Sequence, residues 1–241
     1  MFPNGTLLFL KMQAAFRSTL SDLGGELAVP SGPLQAGRHP LTREVVLASQ
    51  RGRLLEAMAE TVAERGYGAS TVAHVVARAG VSRKTFYEHF SDKEDCFLAL
   101  YDTGIAYVLG RIAETLDIQD ADADAHTRIV AGLQAFLAAL ADEPAFSRAI
   151  ILEVHAAGAR ALARRRATLE AFAQRYLSIN QQAREQNPAT PELSDEIALA
   201  LVGAILELVA VRIEDGALRE LTELTQPLAE FVERQVAPAR A

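Results

Sequence analysis

Residues 82–93 run Ser-Arg-Lys-Thr-Phe-Tyr-Glu-His-Phe-Ser-Asp-Lys. Phe86 and Phe90 are four apart and share one face of a helix, which leaves Arg83, Lys84, Thr85, Tyr87 and His89 to point outward. Two cations, a hydroxyl, a phenol and an imidazole suit a surface that meets phosphates and base edges. Immediately after it, Ser91-Asp92-Lys93-Glu94 reads as a capping box opening another helix. The exposed amides of that helix start, with Lys93 beside them, predict an anion site.

The elements that must hold this surface are legible between residues 53 and 101. Gly66 suits the left-handed position that ends a helix, and Tyr67 behind it can pack back on that helix. Ser70 is an N-cap candidate for a helix over Thr71–Ala79 that buries Val72, Val75 and Val76. Gly80 ends it, Val81 turns inward, and Ser82 caps the next helix at once. Two short helices joined by a glycine-containing turn are the sequence form of a helix-turn-helix.

The run TVAHVVARAGVSRKTFYEHFSDKE resembles the DNA-binding signature of the TetR family of bacterial transcriptional regulators, over roughly residues 43–101. The resemblance implies a two-domain, all-helical homodimer with three DNA-binding helices ahead of a larger, divergent ligand-binding and dimerisation domain. It places Arg83, Lys84 and Thr85 where the family reads bases, and Tyr87, His89 and Lys93 where it holds phosphates. Thr71 falls where the family clamps the DNA backbone, and Ser82 joins the set at the start of the reading helix. Val76 departs from the family's usual alanine and would widen the crossing of the two helices. Arg38 and His39, just before the first helix, have a place from which such regulators reach the minor groove; a tether tip is the plain alternative.

The whole chain is consistent with this outline. Of its 241 residues, 50% are hydrophobic and 23% charged, the balance of a globular protein. Alanine and leucine dominate, apolar residues recur at three- and four-residue spacing, and the pattern predicts an all-α fold of about nine helices. Gly24, Gly25, Pro30, Gly32, Pro33, Gly37 and Pro40 read as a tether, so residues 1–42 are expected to be a weakly ordered extension. A DNA-binding domain over 43–92 and a ligand-binding and dimerisation domain over 93–241 are expected to follow. The net charge of −7 is uneven. Residues 43–100 carry eight basic and eight acidic side chains, whereas 101–241 carry 13 against 21. Overall acidity argues against a protein coated in nucleic acid but leaves room for one basic contact surface.

The longest apolar run, Ile197–Leu206, is too short to span a bilayer, so no membrane partner is expected. Leu7–Leu10 has no basic residue before it and no cleavage pattern after it, which does not read as a secretory leader. The single cysteine, Cys96, fits a reducing compartment, and the expected location is cytoplasmic.

Residues 194–236 read as two long helices broken at Asp215-Gly216, the first apolar almost all round. Leu199, Val202, Gly203, Leu206, Leu228 and Phe231 are the candidate dimerisation residues, and a symmetric dimer predicts a palindromic, inverted-repeat operator in double-stranded DNA. Tyr101, Ile105, Phe136, Leu140, Phe146, Ile150, His155, Phe172 and Tyr176 are candidates to line a cavity for a small hydrophobic ligand, though each also suits an ordinary core. Of these, His155 and Tyr176 have polar tips able to orient a ligand. Arg164-Arg165-Arg166 reads as a solvated helix face. The helix that opens near Lys93 runs from the DNA into the ligand domain and is the expected lever.

Enzymatic motifs are missing: there is no phosphate-cradling glycine loop, nucleophile elbow or HExxH pair. The run Asp120-Ala-Asp122-Ala-Asp124 imitates a calcium loop but has Ala125 where glycine is needed and Ala131 where glutamate belongs. No cofactor or metal is expected, nor an enzyme. The rival reading is a helical small-molecule-binding or scaffold protein without specific DNA binding.

Overall fold

The computed structural model describes residues 43–118 and 123–237. The expected N-terminal extension, with its tether, Arg38 and His39, lies outside the described residues, as do Asp120 and Asp122. Among the described residues the fold is all-α, with nine α-helices. They are α1 (Arg43–Arg65), α2 (Val72–Ala79), α3 (Arg83–His89), α4 (Lys93–Asp117), α5 (Ala125–Asp142), α6 (Pro144–Ile151), α7 (Ala159–Gln186), α8 (Asp195–Glu214) and α9 (Thr225–Val236). Two 3-10 segments, Glu153–Ala156 and Leu218–Leu224, complete the chain.

Helices α1 to α3 form the head. Leu54, Leu55, Met58 and Val62 recur on one face of α1 and are buried with Val75, Val76, Phe86 and Phe90. Gly66 ends the pattern at φ +76 and Gly80 ends α2 at φ +63, conformations that favour glycine. The cap of α2 sits one residue later than Ser70. Thr71 accepts the amide of His74 at 3.2 Å, while Ser70 is buried and donates to the Gly66 carbonyl at 2.7 Å. The next helix start shifts likewise. Asp92, not Ser91, caps α4 by accepting from the Asp95 amide at 2.8 Å, and the Asp95 carboxylate takes the Ser91 amide at 3.0 Å.

Helices α4 to α9 form the body. Helix α4 is long and apolar enough to cross a membrane by composition, but half of that stretch is buried inside the protein. It packs against α1, α5 and α7. Close to its middle, Gly104 admits the Phe146 ring of α6, with no room for a Cβ between them. The acidic run that imitates a calcium loop ends as a helix start, with Asp124 accepting the Thr127 amide at 2.8 Å. Helix α8 buries Ala198, Leu201, Val202, Ile205, Val209 and Ile213 and leaves Ile197, Leu199, Leu208 and Val211 exposed on its other side. Cys96 is buried on α4, and desolvation raises its thiol far above the ordinary value.

Candidate nucleic-acid interface and cavity

Helix α3 is seven residues long and depends on its ends. Ser82 accepts the Thr85 amide at 3.0 Å, and the two hydroxyls lie 3.0 Å apart. Both side chains thus hold the first turn in place. From that turn Arg83 and Lys84 project into solvent, with only the 3.9 Å pairing of Lys84 and Glu88 nearby. Tyr87 is 53% exposed, and its ring stands edge-on to buried Phe86 with the centroids 5.4 Å apart, a favourable aromatic geometry. His89 is half-buried, its Nε2 without a hydrogen-bond partner. Desolvation, then the nearby Arg51 guanidinium, lowers its pKa. Arg51 lies over the Phe90 ring at 4.9 Å and adds a cation to this face that sequence reading missed. No motif marks it; only the packing of α1 against Phe90 brings it there.

Lys93 departs from the expected phosphate role. Its ammonium donates to the carbonyls of Tyr67 at 2.8 Å and Ser70 at 3.0 Å, and it lies 3.9 Å from the centre of the Tyr67 ring. Burial lowers its pKa. Lys93 thus braces the turn between α1 and α2.

The body holds a cavity of about 280 Å³. Tyr101, Ile105, Phe136, Leu140, Ile150, His155, Phe172 and Tyr176 all line it. Phe146 does not; it fills the notch at Gly104 instead. His155 is exposed at the cavity edge, not enclosed in the core. Desolvation raises the Tyr101 phenol, against a side-chain hydrogen bond with Thr168 and the charge of Arg165. Tyr176 is raised more strongly, by desolvation alone.

Sequence reading missed the cationic part of the lining. Arg128, Arg165 and Arg175 border the cavity, with Gln182 beyond them on α7. Arg164 and Arg166 do face solvent, paired with Asp102 at 2.7 Å and Glu170 at 2.8 Å, but Arg165 between them turns inward. The signal was the stripe 165, 168, 169, 172, 176, 179, which has helical spacing. Arg165 and Gln182 are 17 residues apart, about 25 Å along α7 at ~1.5 Å per residue. The lining is thus long and largely apolar, with Arg128, Arg165 and Arg175 and the carboxylate of Glu207 at its borders.

The six dimerisation candidates scatter. Val202 and Leu228 are buried in the core of one chain, and Val202 and Leu206 line the cavity. Leu199 and Phe231 are each 39% exposed, and Gly203 has open space where a Cβ would stand. Val202 and Leu228 are thus used within one chain, while Leu206 is partly buried at the cavity.

A short, packed helix-turn-helix is thus joined by one long helix to a cavity-bearing helical body. Residues 54–100 match the family model for bacterial regulatory proteins of the tetR family, so this segment is a TetR-type helix-turn-helix. Over 87 residues the chain is 32% identical to the transcriptional activator FasR of Mycolicibacterium smegmatis, which covers 36% of this chain and 38% of that protein. It is 36% identical over 75 residues to the transcriptional repressor AcnR of Corynebacterium diphtheriae, covering 31% and 40%. A fatty acid metabolism regulator of Bacillus subtilis matches at 31% over 64 residues, covering 27% and 33%. The matched stretch thus spans less than half the length of each relative. The fold extends further: the B. subtilis regulator FadR, solved with stearoyl-CoA, superposes with a TM-score of 0.66 at 19% identity, over 78% of this chain and 98% of that one.

Proposed function

We propose that this protein is a dimeric, ligand-responsive transcriptional repressor, with residues 43–92 as its DNA-binding unit and 93–241 as its ligand-binding and dimerisation unit. The observation that carries the proposal is the outward display of Arg83, Lys84 and Tyr87 on a capped helix whose opposite face is fully packed. Such a helix fits a major groove, with cations for phosphates and guanine edges. Arg83, Lys84 and Thr85 supply sequence preference, while Tyr87, His89, Thr71 and Ser82 lie where phosphates pass.

A dimer is supported by the open apolar side of α8, where Ile197, Leu208 and Val211 join Leu199, and by Phe231 on α9. Ala200, Gly203 and Ala204 leave room there for a close helix. Two-fold symmetry then calls for an inverted-repeat operator in the cytoplasmic genome.

The ligand is an elongated amphiphile, with an apolar chain along Ile105, Phe136 and Phe172 and an anionic group at an arginine-bearing end. The fatty acid metabolism regulator of Bacillus subtilis and the FadR–stearoyl-CoA structure support a fatty-acyl compound. Helix α4 starts at the head and lines the cavity at Tyr101, Ile105, Val108 and Ile112, so a shift there reaches the DNA. Release requires the ligand to bind the non-fitting state better, by ~1–3 kcal/mol in typical systems.

The test is a duplex selected from a random pool by the wild-type protein, with anisotropy read across a salt series. Tight binding that weakens steeply with salt and collapses on Arg83→Ala/Lys84→Ala supports the reading. Weak binding that ignores sequence and the substitutions would leave a helical ligand-binding or scaffold protein.

A further inference from the structure

Besides the packing of α1 on α4 and α6, the head meets the body at Tyr67, whose backbone N–H and carbonyl are both held. The Tyr67 N–H donates to Glu153 Oε2 at 2.8 Å, and the Tyr67 carbonyl accepts from Lys93 at 2.8 Å. Glu153 belongs to the 3-10 turn of the body, and Lys93 to the first turn of α4. The Tyr67 ring is buried, stacked edge-on against Phe97 of α4 at 5.1 Å. Glu153 also lies over Gly66, its Oε2 3.4 Å from where a Cβ would stand. Gly66 at φ +76, Tyr67 and Ser70 are the residues that deliver the chain to the Thr71 cap of α2.

The 3-10 turn that carries Glu153 also carries His155, which lines the cavity. Two residues apart at three per turn, the two side chains leave different faces of one short rigid segment. A displacement of His155 by cavity contents therefore moves Glu153, and with it the backbone amide that sets where α2 begins. The ion pairs nearby, Arg160 with Glu94 at 3.5 Å and Arg164 with Asp102 at 2.7 Å, join α7 to α4 within the body. Those link exposed, flexible side chains and are weak by nature. The Glu153 contact is partly buried, charge-assisted and made to the main chain, so it constrains position more tightly.

We infer that Glu153 is the positioning residue that transmits cavity occupancy to the helix-turn-helix, through its hydrogen bond to the Tyr67 amide. This rests on the ligand-responsive reading above. The ligand can be replaced in the test by a tethered occupant. Gly132 lines the cavity and has nothing within 4 Å of a Cβ position, so Gly132→Leu places a side chain in open space.

The experiment measures duplex affinity for the full-length wild type, Gly132→Leu, Glu153→Ala, the double variant and Glu153→Gln/Gly132→Leu, using the duplex selected by the wild type. Amide exchange is followed in the peptide containing Tyr67. Gly132→Leu should change affinity by between about 5- and 150-fold, the usual range of such coupling, and should speed exchange at residues 66–71. In the Glu153→Ala background the same substitution should change affinity less than about twofold, while Glu153→Gln, which keeps an acceptor oxygen, should restore part of the response. An equal response with and without the carboxylate, or an affinity change with unaltered exchange at 66–71, overturns the role of Glu153 and leaves the ligand-responsive reading standing. No response to Gly132→Leu in the wild type overturns both. General loss of structure in Glu153→Ala would appear as faster exchange throughout and a lowered Tm, and the exchange comparison of wild type with Gly132→Leu then decides the matter alone.

Discussion

The head and the body hold their functional side chains in opposite ways. In the head, a close-packed floor of Phe86, Phe90, Val75 and Val76 pushes polar residues outward, and the site is the convex face of one seven-residue helix. In the body the site is a void, lined by residues from five helices and the 3-10 turn, and each lining residue stands beside others that are simple core. A convex site is defined by what its own short segment cannot bury. A concave one is defined by which buried faces fail to meet, and that is a property of the whole fold.

The largest predicted effect breaks the floor of the convex site. Phe86→Ala should cost ~3–5 kcal/mol, the usual penalty for an aromatic removed from a core, and should abolish duplex binding. Thermal unfolding with amide exchange resolved by segment should show the loss concentrated in α1 to α3. Uniform loss across α5 to α9 would deny the head its separate floor.

In the body the corresponding break is Gly104. Gly104→Ala sets a methyl against the Phe146 ring and should destabilise by ~1–3 kcal/mol, measured by denaturant unfolding, as overpacked cores do. Arg83→Ala alone should weaken the selected duplex by ~1–3 kcal/mol and lower the salt slope. Because its side chain is exposed, Tm should stay unchanged; a marked fall would mean that Arg83 supports the fold.

The smallest effects are electrostatic and differ in sign between the regions. His89 has a lowered pKa in the fold, so its contribution is fully present above 6.5 and is lost as pH falls below that value. His126 of α5 is raised by its 2.8 Å contact with Glu233 of α9, so its contribution is present below 6.5 and is lost as pH rises through the raised value. Replacing each histidine by glutamine and following Tm from pH 5 to pH 8 should flatten the acid side for His89 and the neutral side for His126. The same sign for both would contradict the assigned partners.

How much was legible follows from the same contrast. Gly66, Gly80 and Ser82 could be placed from sequence because a left-handed turn or a cap is decided within about four residues. Ser70 and Thr71 were misassigned by one position because adjacent hydroxyls compete for the cap, and the choice depends on Ser70 finding the Gly66 carbonyl. The bracing contacts of Lys93 were unreadable because its partners lie 23 and 26 residues back in the chain. Phe146 was indistinguishable from a lining residue until Gly104 was seen to receive it. Arg165 was hidden in a run of three arginines whose outer members do face solvent. Val202, Leu206 and Leu228 have the composition of an interface, but one chain already uses them.

The claim at the centre of this account is that filling the body releases the head. Stearoyl-CoA titrated into the complex of full-length protein with its selected duplex, with the oligomeric state followed by light scattering, tests it directly. The account predicts that the duplex is released while the protein stays dimeric. Unchanged duplex affinity with stearoyl-CoA bound in the cavity would contradict it.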